Sequence, residues 1–202
     1  MRPLFLSTFL FFFFALQGMA QSDSLSGQKR IRYFNTFQAG MLIGKENFGT
    51  TASVFTVHGI RSGTLAIGLG IGYDDYTRAT VSWSFGGVTH TRWKVVPMFA
   101  SFSADFLEFA NSKVFFQTNA GYSIIRSSAP EPWQEASKVR GGIMINPALG
   151  LRISAGRHKL YVTAGYKWQK NHYEFDLGNW SPQTEVKETM QRFNASIGFG
   201  WN

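Results

Sequence analysis

Apolar and polar residues alternate with a period of two along most of the chain, which is the pattern of β-strands with one apolar face. The clearest example lies between residues 64 and 76. Its apolar face carries Leu65, Ile67, Leu69, Ile71 and Tyr73, and its other face carries Ala66, Gly68, Gly70 and Gly72. No stretch beyond residue 20 shows a convincing helical period of 3.6, so the pattern predicts an all-β protein.

Seven further segments alternate in the same way, which makes eight predicted strands. They lie near residues 36–43, 53–60, 96–106, 114–124, 143–153, 160–168 and 192–201, and the second of them is the least clear. Short connections, near residues 61–63, 107–112 and 154–158, alternate with long ones near 74–93, 126–140 and 169–190. This asymmetry is typical of an up-and-down barrel that crosses a membrane.

A glycine pair predicts the register between the third and fourth strands. Gly86 and Gly87 suit a two-residue hairpin turn, which makes Phe85 and Val88 direct partners. Counting back from this turn gives both strands the same apolar face, with Gly68 opposite Asp105 and Gly70 opposite Ser103. Pro97 fits less well, because proline cannot donate to a ladder, and it predicts a bulge or a local break.

The polar face of the predicted strands lacks the charged residues of a water-exposed surface. A soluble barrel such as a lipocalin needs an outer face rich in charged groups, but charged residues are only 16% of this chain, against about 25% in soluble domains. The non-apolar face consists mainly of Gly, Ala, Ser, Thr, Asn and Gln, which fits a crowded interior. The apolar face then contacts lipid, where only a closed barrel satisfies the backbone of β-structure. We therefore predict an all-β fold: an eight-stranded antiparallel up-and-down transmembrane β-barrel.

The N-terminus resembles a secretory signal peptide. Arg2 precedes an apolar run of residues 4–16, and small residues lead up to Ala20, after which we expect cleavage. A retained membrane anchor is the alternative. The predicted organisation is a signal peptide at 1–20, an N-terminal segment at 21–35 and the barrel domain at 36–202.

Charge and cysteine content narrow the function classes. The formal net charge is +8, but the basic residues are scattered and the signal peptide predicts export, so attraction to an anionic membrane surface is expected rather than nucleic-acid binding. The absence of cysteine from the sequence excludes disulfides and thiolate metal sites.

Aromatic residues end the lipid faces of several predicted strands. Tyr73, Tyr122, Tyr166 and Trp168 fall at one end of the barrel, and Phe106 and Trp201 fall near the opposite rim. Tyrosine and tryptophan concentrate at membrane–water interfaces, so we expect Tyr73, Tyr122, Tyr166, Trp168 and Trp201 to belong to interfacial girdles.

The chain resembles the small bacterial outer-membrane β-barrel proteins, the porin-like and OmpA/OmpX-like group. The resemblance is carried by the signal peptide and by the stretches "GIRSGTLAIGLGIGYDDY", "NPALGLRI", "TAGYKWQ" and "NASIGFGWN". It implies location in the outer membrane, contact with its lipid, and assembly by periplasmic chaperones and the barrel-assembly machinery. That machinery reads a C-terminal aromatic residue, and here Trp201 is penultimate, before Asn202.

The candidate site is the predicted lumen. Asp105, Arg152, Lys167 and Arg192 all have inward parity, and they would form a buried ionic network across the lumen. Such a network acts either as a plug that also fixes the register or as a gate or selectivity ring in a small pore. The lumen-facing glycines Gly68, Gly70 and Gly72 leave room for neighbouring side chains or for a small cavity.

The sequence gives little indication of an enzyme or of a cofactor site. The glycines near residue 70 lack the third glycine of a dinucleotide fingerprint, because Tyr73 stands there. The His-x-Ser arrangement of lipid A deacylases is absent after every histidine. His172, Glu174 and Asp176 alternate on one face, which would suit a metal ion or a solvated strand extension. We expect no cofactor, no metal and no catalytic residue.

The predicted function is that of a monomeric, non-enzymatic outer-membrane barrel that contributes to envelope integrity or surface interaction through its long loops. Trp133 and Trp180 lie in those loops and either contact a partner or pack on their own loop. A narrow porin-like channel for small solutes is the alternative, and a lipid-modifying enzyme using His90 or His172 is a second one.

Overall fold

Nine strands account for the regular structure of the residues described by the computed structural model, which are 31–44, 49–82, 87–128, 138–175 and 184–201. The strands are β1 Arg32–Gly44, β2 Thr50–Ser62, β3 Leu65–Ser82, β4 Gly87–Phe109, β5 Ser112–Ser128, β6 Lys138–Arg140, β7 Gly142–Ala155, β8 His158–Phe175 and β9 Thr184–Trp201. No helix long and apolar enough to cross a membrane occurs among these residues.

The strands close into an eight-stranded antiparallel barrel. Successive strands pair with each other except at β6, where β5 pairs with β7 instead, and β9 pairs with both β8 and β1, so the sheet closes on itself. The short β6 pairs with β8 just as β7 does, so β6 and β7 form one barrel strand that is interrupted at Gly141. The predicted fold class is therefore confirmed.

Turns of two residues join the strands at one end of the barrel, which we call the turn end; the other is the loop end. The turns are at residues 63–64, 110–111 and 156–157. Gly63 and Gly156 have φ values of 59° and 63°, a left-handed conformation that glycine adopts without a Cβ clash. In outer-membrane barrels the short turns are periplasmic.

Side-chain burial follows the predicted alternation. In β7 the burial changes at almost every residue, and the buried Asn146 and Arg152 share a face opposite the exposed Ile145, Leu149 and Leu151. Every long strand carries exposed large apolar residues, as Leu69 illustrates at 73% exposure. The apolar face is the outer surface.

The strands are longer than predicted. β1 begins at Arg32, four residues before the predicted start of the barrel at Thr36. β3 continues to Ser82 and β4 resumes at Gly87, so most of the expected loop at 74–93 is a strand extension. The expected loops at 126–140 and 169–190 are likewise partly strand.

The predicted register between β3 and β4 was wrong, although the predicted faces were right. Gly68 pairs with Ser101 rather than Asp105, and Gly70 pairs with Phe99 rather than Ser103. Gly87 belongs to β4 and pairs with Ser82, so Gly86 and Gly87 do not form the central pair of the turn. Because the shift is an even number of residues, every side chain keeps its face.

Pro97 interrupts the β3–β4 pairing as a local break. The paired residues stop at Ile71–Met98 and resume at Asp74–Val95 in the same register. A bulge occurs further along β4, where the pairing with β5 shifts between Asp105 and Leu107. This shift leaves Asp105 buried in the lumen and Phe106 exposed on the outer face.

Candidate functional site

Side chains from all eight barrel strands fill the lumen. Buried polar examples, one from each barrel strand, are Gln38, Ser53, Asp74, Asp105, Asn119, Asn146, Lys167 and Arg192. Buried charge requires partners, because an isolated ion in a low-dielectric interior is strongly disfavoured. The lumen meets this requirement with two separate charged clusters.

The turn-end cluster consists of Arg61, Asp105 and Arg152. Oδ2 of Asp105 accepts a hydrogen bond from Nη1 of Arg61 at 3.0 Å and another from Nη2 of Arg152. The side chains are at most 9% exposed. One carboxylate thus holds two guanidinium groups, and the cluster has a net positive charge.

Lys159 adds to this positive charge at the mouth of the lumen. It lies beside the turn at residues 156–157, on the turn-end side of Leu160, the first apolar lipid-facing residue of β8. The Arg152 and Arg61 cations are nearby. The turn end therefore concentrates positive charge around the single carboxylate of Asp105.

The loop-end cluster consists of Ser53, Asp74, Tyr76, Lys167 and Arg192. Asp74 accepts hydrogen bonds from Ser53 Oγ at 2.6 Å, from Tyr76 Oη at 2.9 Å and from Lys167 Nζ. The Arg192 guanidinium lies 3.6 Å from the centre of the Tyr76 ring, a cation–π contact. Lys167 and Arg192 are direct cross-strand partners, and Asp74 and the Tyr76 ring offset the repulsion between these two cations.

Uncharged side chains occupy the lumen between the two clusters. Ser196 Oγ donates to Gln38 Oε1 at 3.0 Å, and Asn194 Nδ2 donates to Asn146 Oδ1 at 3.3 Å. The rings of Phe55 and Phe99 meet edge to face with centroids 5.8 Å apart. The lumen is therefore packed along the axis rather than only at its two ends.

The four residues of the predicted network are buried but do not form one network. Asp105 and Arg152 belong to the turn-end cluster, and Lys167 and Arg192 belong to the loop-end cluster. The missing partners are Arg61 and Asp74, which the sequence analysis assigned to a turn and to a loop. Their inward parity was a usable signal: Asp74 continues the series of Gly68, Gly70 and Gly72, and Arg61 continues that of Phe55 and Val57.

The inward glycines of β3 lie against side chains of the neighbouring strands. A Cβ added to Gly68 would lie 2.9 Å from Val57 Cγ1, and one added to Gly72 would lie 2.9 Å from Phe55 Cβ. At Gly70 it would overlap the Phe99 ring. These contacts fill the space beside all three glycines.

We expect Gly70→Leu to lower the free energy of unfolding by about 1–3 kcal/mol, because the Phe99 ring must leave its position. The measurement is urea unfolding of the barrel in lipid vesicles, followed by tryptophan fluorescence. Gly49→Leu is the matched control, since a Cβ at Gly49 meets nothing within 4 Å. Equal effects of the two substitutions would mean that Gly70 borders an empty space.

The aromatic residues predicted for the girdles all face outwards. Tyr73, Tyr122, Tyr166, Trp168 and Trp201 are between 37% and 47% exposed. Trp201 pairs with His158, next to a turn, and Tyr122 Oη donates to the carbonyl of Gly141, towards the loop end. The two ends of the barrel thus carry separate aromatic groups.

The candidate enzyme and metal residues are only partly described. The backbones of His90 and Glu174 lie in β4 and β8, and Asp176, Trp133 and Trp180 lie outside the described residues. His172 is described and partly buried. No group of three metal-ligating side chains occurs within the described part of the chain.

Solved structures with a similar fold include small outer-membrane barrels. The outer membrane protein OprG from Pseudomonas aeruginosa superposes with a TM-score of 0.65 at 9% identity, over 87% of this chain and 97% of OprG. The outer membrane protein AlkL, solved in lipid bilayers, superposes with a TM-score of 0.57 at 14% identity, over 87% of this chain and 92% of AlkL. The Neisserial surface protein NspA superposes with a TM-score of 0.53 at 14% identity, over 86% of this chain and 99% of NspA. No protein-family model matches the sequence, and no curated protein matches it either.

The closed barrel and its apolar outer surface define the class: this is a transmembrane β-barrel. Its fold is that of the small bacterial outer-membrane β-barrel proteins. The bacterial outer membrane is the location that this fold indicates.

Proposed function

We propose that this protein is a non-enzymatic outer-membrane barrel whose lumen is closed by its own side chains, and that it contributes to envelope integrity or surface interaction. The packed lumen is the observation that carries the proposal. Both carboxylates of the two clusters, Asp74 and Asp105, are hydrogen-bonded to cationic side chains. An eight-stranded barrel has an interior just wide enough for side chains to fill.

The closed lumen leaves the outer surface and the loop end as the places where the protein acts. β3 and β4 extend past the girdle residue Tyr73 to Ser82 and Gly87, so these strands project a paired hairpin beyond the lipid-facing band. Such projecting hairpins and loops are where an outer-membrane barrel meets partners.

Planar bilayers test this proposal. We expect the purified protein to insert without discrete conductance steps, with an open porin inserted under the same conditions as the positive control. Insertion is checked by the faster gel mobility of the unheated barrel. Reproducible steps would favour the narrow channel instead, and a lipid A modification lost on replacing His90 or His172 would favour the enzyme.

A further inference from the structure

Four polar side chains lie together on the lipid-facing side of β1 and β2. Tyr33 Oη lies 2.6 Å and Asn35 Nδ2 lies 3.0 Å from Nδ1 of His58, and Thr56 Oγ1 lies 3.3 Å from its Nε2. We call Tyr33, Asn35, Thr56 and His58 the outer polar cluster. Polar groups on a lipid-facing surface are costly, and they mark functional positions by default.

The hydrogen bonds leave donors for a further partner. Asn35 Nδ2 lies 3.0 Å from Nδ1 and 3.4 Å from Nε2 of His58, so one of its two N–H groups is directed to the ring. The hydroxyl of Thr56 donates to the Thr36 carbonyl at 3.1 Å, and its oxygen can accept from Nε2–H of His58 only across a long 3.3 Å contact. The second amide N–H of Asn35, and Nε2–H of His58 in the tautomer that carries the proton there, are the donors that can reach an oxygen acceptor.

An apolar groove of about 550 Å³ begins at His58 and crosses β3, β4 and β5 on the outer face. This volume is within the range of about 300–1,000 Å³ for ligand pockets. Two small residues, Ala100 and Ala120, line the groove and are direct cross-strand partners. Leu69 connects them to the polar cluster, because it pairs with both His58 and Ala100. The outer polar cluster and the groove are therefore parts of one cross-strand row.

This row rises from the turn end towards the middle of the membrane. Asn35 pairs with Trp201 at the turn-end rim. His58 is separated from its turn only by residues 59–62, whereas residues 101–109 separate Ala100 from its own turn. The polar end of the groove thus lies near the interface and its apolar end lies deeper, which matches the head and acyl chain of a lipid in the periplasmic leaflet.

The charge of the turn end favours an anionic lipid. Among the described residues of the turn end, Arg32 and Arg157 are exposed and Lys159 is half-buried, whereas Arg61 and Arg152 are buried on Asp105 in the lumen and Lys113 is paired with Glu108. Both acidic side chains already accept from basic ones. Basic residues at a membrane surface attract anionic headgroups.

We propose that the groove binds one anionic glycerophospholipid of the periplasmic leaflet, with its phosphate or ester oxygens on His58 and Asn35 and an acyl chain over Ala100 and Ala120. The site is on the outer face, so it does not depend on whether the lumen is closed. It differs from the general lipid contact of the barrel because it is selective and has a stoichiometry of one.

Native mass spectrometry of the full barrel in mild detergent, titrated with phosphatidylglycerol, tests the proposal. We expect the wild type to retain one lipid, and His58→Ala to bind it about tenfold more weakly, as loss of a hydrogen bond to a charged group predicts. Ala100→Phe fills the groove and should abolish retention of the lipid. If the Ala100→Phe variant does not fold, Ala120→Phe replaces it, because Ala120 lines the same groove on the next strand.

Ala164→Phe is the matched control. Ala164 and Ala195 are also cross-strand partners on the outer face, but they are flanked by Leu149 and Met41 instead of polar groups. Ala164→Phe should retain the lipid. Equal effects of Ala100→Phe and Ala164→Phe, equal retention of phosphatidylcholine, or a dimer that Ala100→Phe dissociates would each overturn the proposal.

Discussion

Asp105→Asn is expected to lower the free energy of unfolding by roughly 3–5 kcal/mol, the cost of removing one partner from a buried ion pair. Asparagine keeps the size of the side chain but removes its charge. Arg61 and Arg152 both donate to Oδ2 of Asp105, so two buried cations would face each other without a counter-ion. The measurement is urea unfolding in lipid vesicles, with the fraction of faster-migrating barrel in unheated gel samples as a second readout.

Glu108→Gln is the matched control for this prediction. Glu108 is on the same strand and accepts from Lys113 at 2.7 Å, but its side chain is 63% exposed. Exposed pairs contribute at most about 1 kcal/mol, so this substitution should change little. If Asp105→Asn were as mild as Glu108→Gln, water or mobile ions would have to reach the turn-end cluster, and the lumen would be open at that end.

The faces of the strands could be predicted from the sequence because lipid and lumen select opposite side chains. Leu65, Ile67 and Leu69 alternate with small residues, and this parity does not depend on how strands pair. The register does depend on pairing, and the alternation cannot distinguish registers that differ by an even number of residues. Gly86 and Gly87 therefore predicted the right faces with the wrong partners.

The grouping of the charged residues depends on register as well. The residues of each cluster come from strands that are not all neighbours, so their levels in the barrel follow from strand tilt and stagger. Asp105 and Lys167 have the same inward parity, yet they lie in different clusters. Asp74 was missed for a simpler reason: the lipid-facing pattern ends at Tyr73, whereas the strand itself continues to Ser82.

The outer polar cluster was missed because β2 has a weak pattern. Its inward face carries Phe55 and Val57, and its outward face carries Thr56 and His58. At residues 55–58 an apolar residue is inside and a polar one outside, which is the reverse of the pattern at residues 65–73 of β3. Where a strand departs from the rule of its neighbours, a functional position is the expected reason.

Lys167→Met is expected to destabilise the barrel by roughly 3–5 kcal/mol, because it leaves the carboxylate of Asp74 buried without its hydrogen-bonded cation. Asp74 is 1% exposed, so water cannot replace the ammonium group. Ser53 and Tyr76 still donate to the carboxylate, but neither neutralises it. Lys170→Met is the control, since Lys170 is on the same strand and is exposed.

The double variant Asp74→Asn/Lys167→Met distinguishes a charge pair from simple packing. With both charges removed, no buried ion lacks a partner, so the double variant should be more stable than Lys167→Met alone. Urea unfolding of the wild type, the two single variants and the double variant gives the coupling energy. Additive losses would mean that Lys167 and Asp74 stabilise the barrel independently. The loop-end cluster would then not be organised around their ion pair.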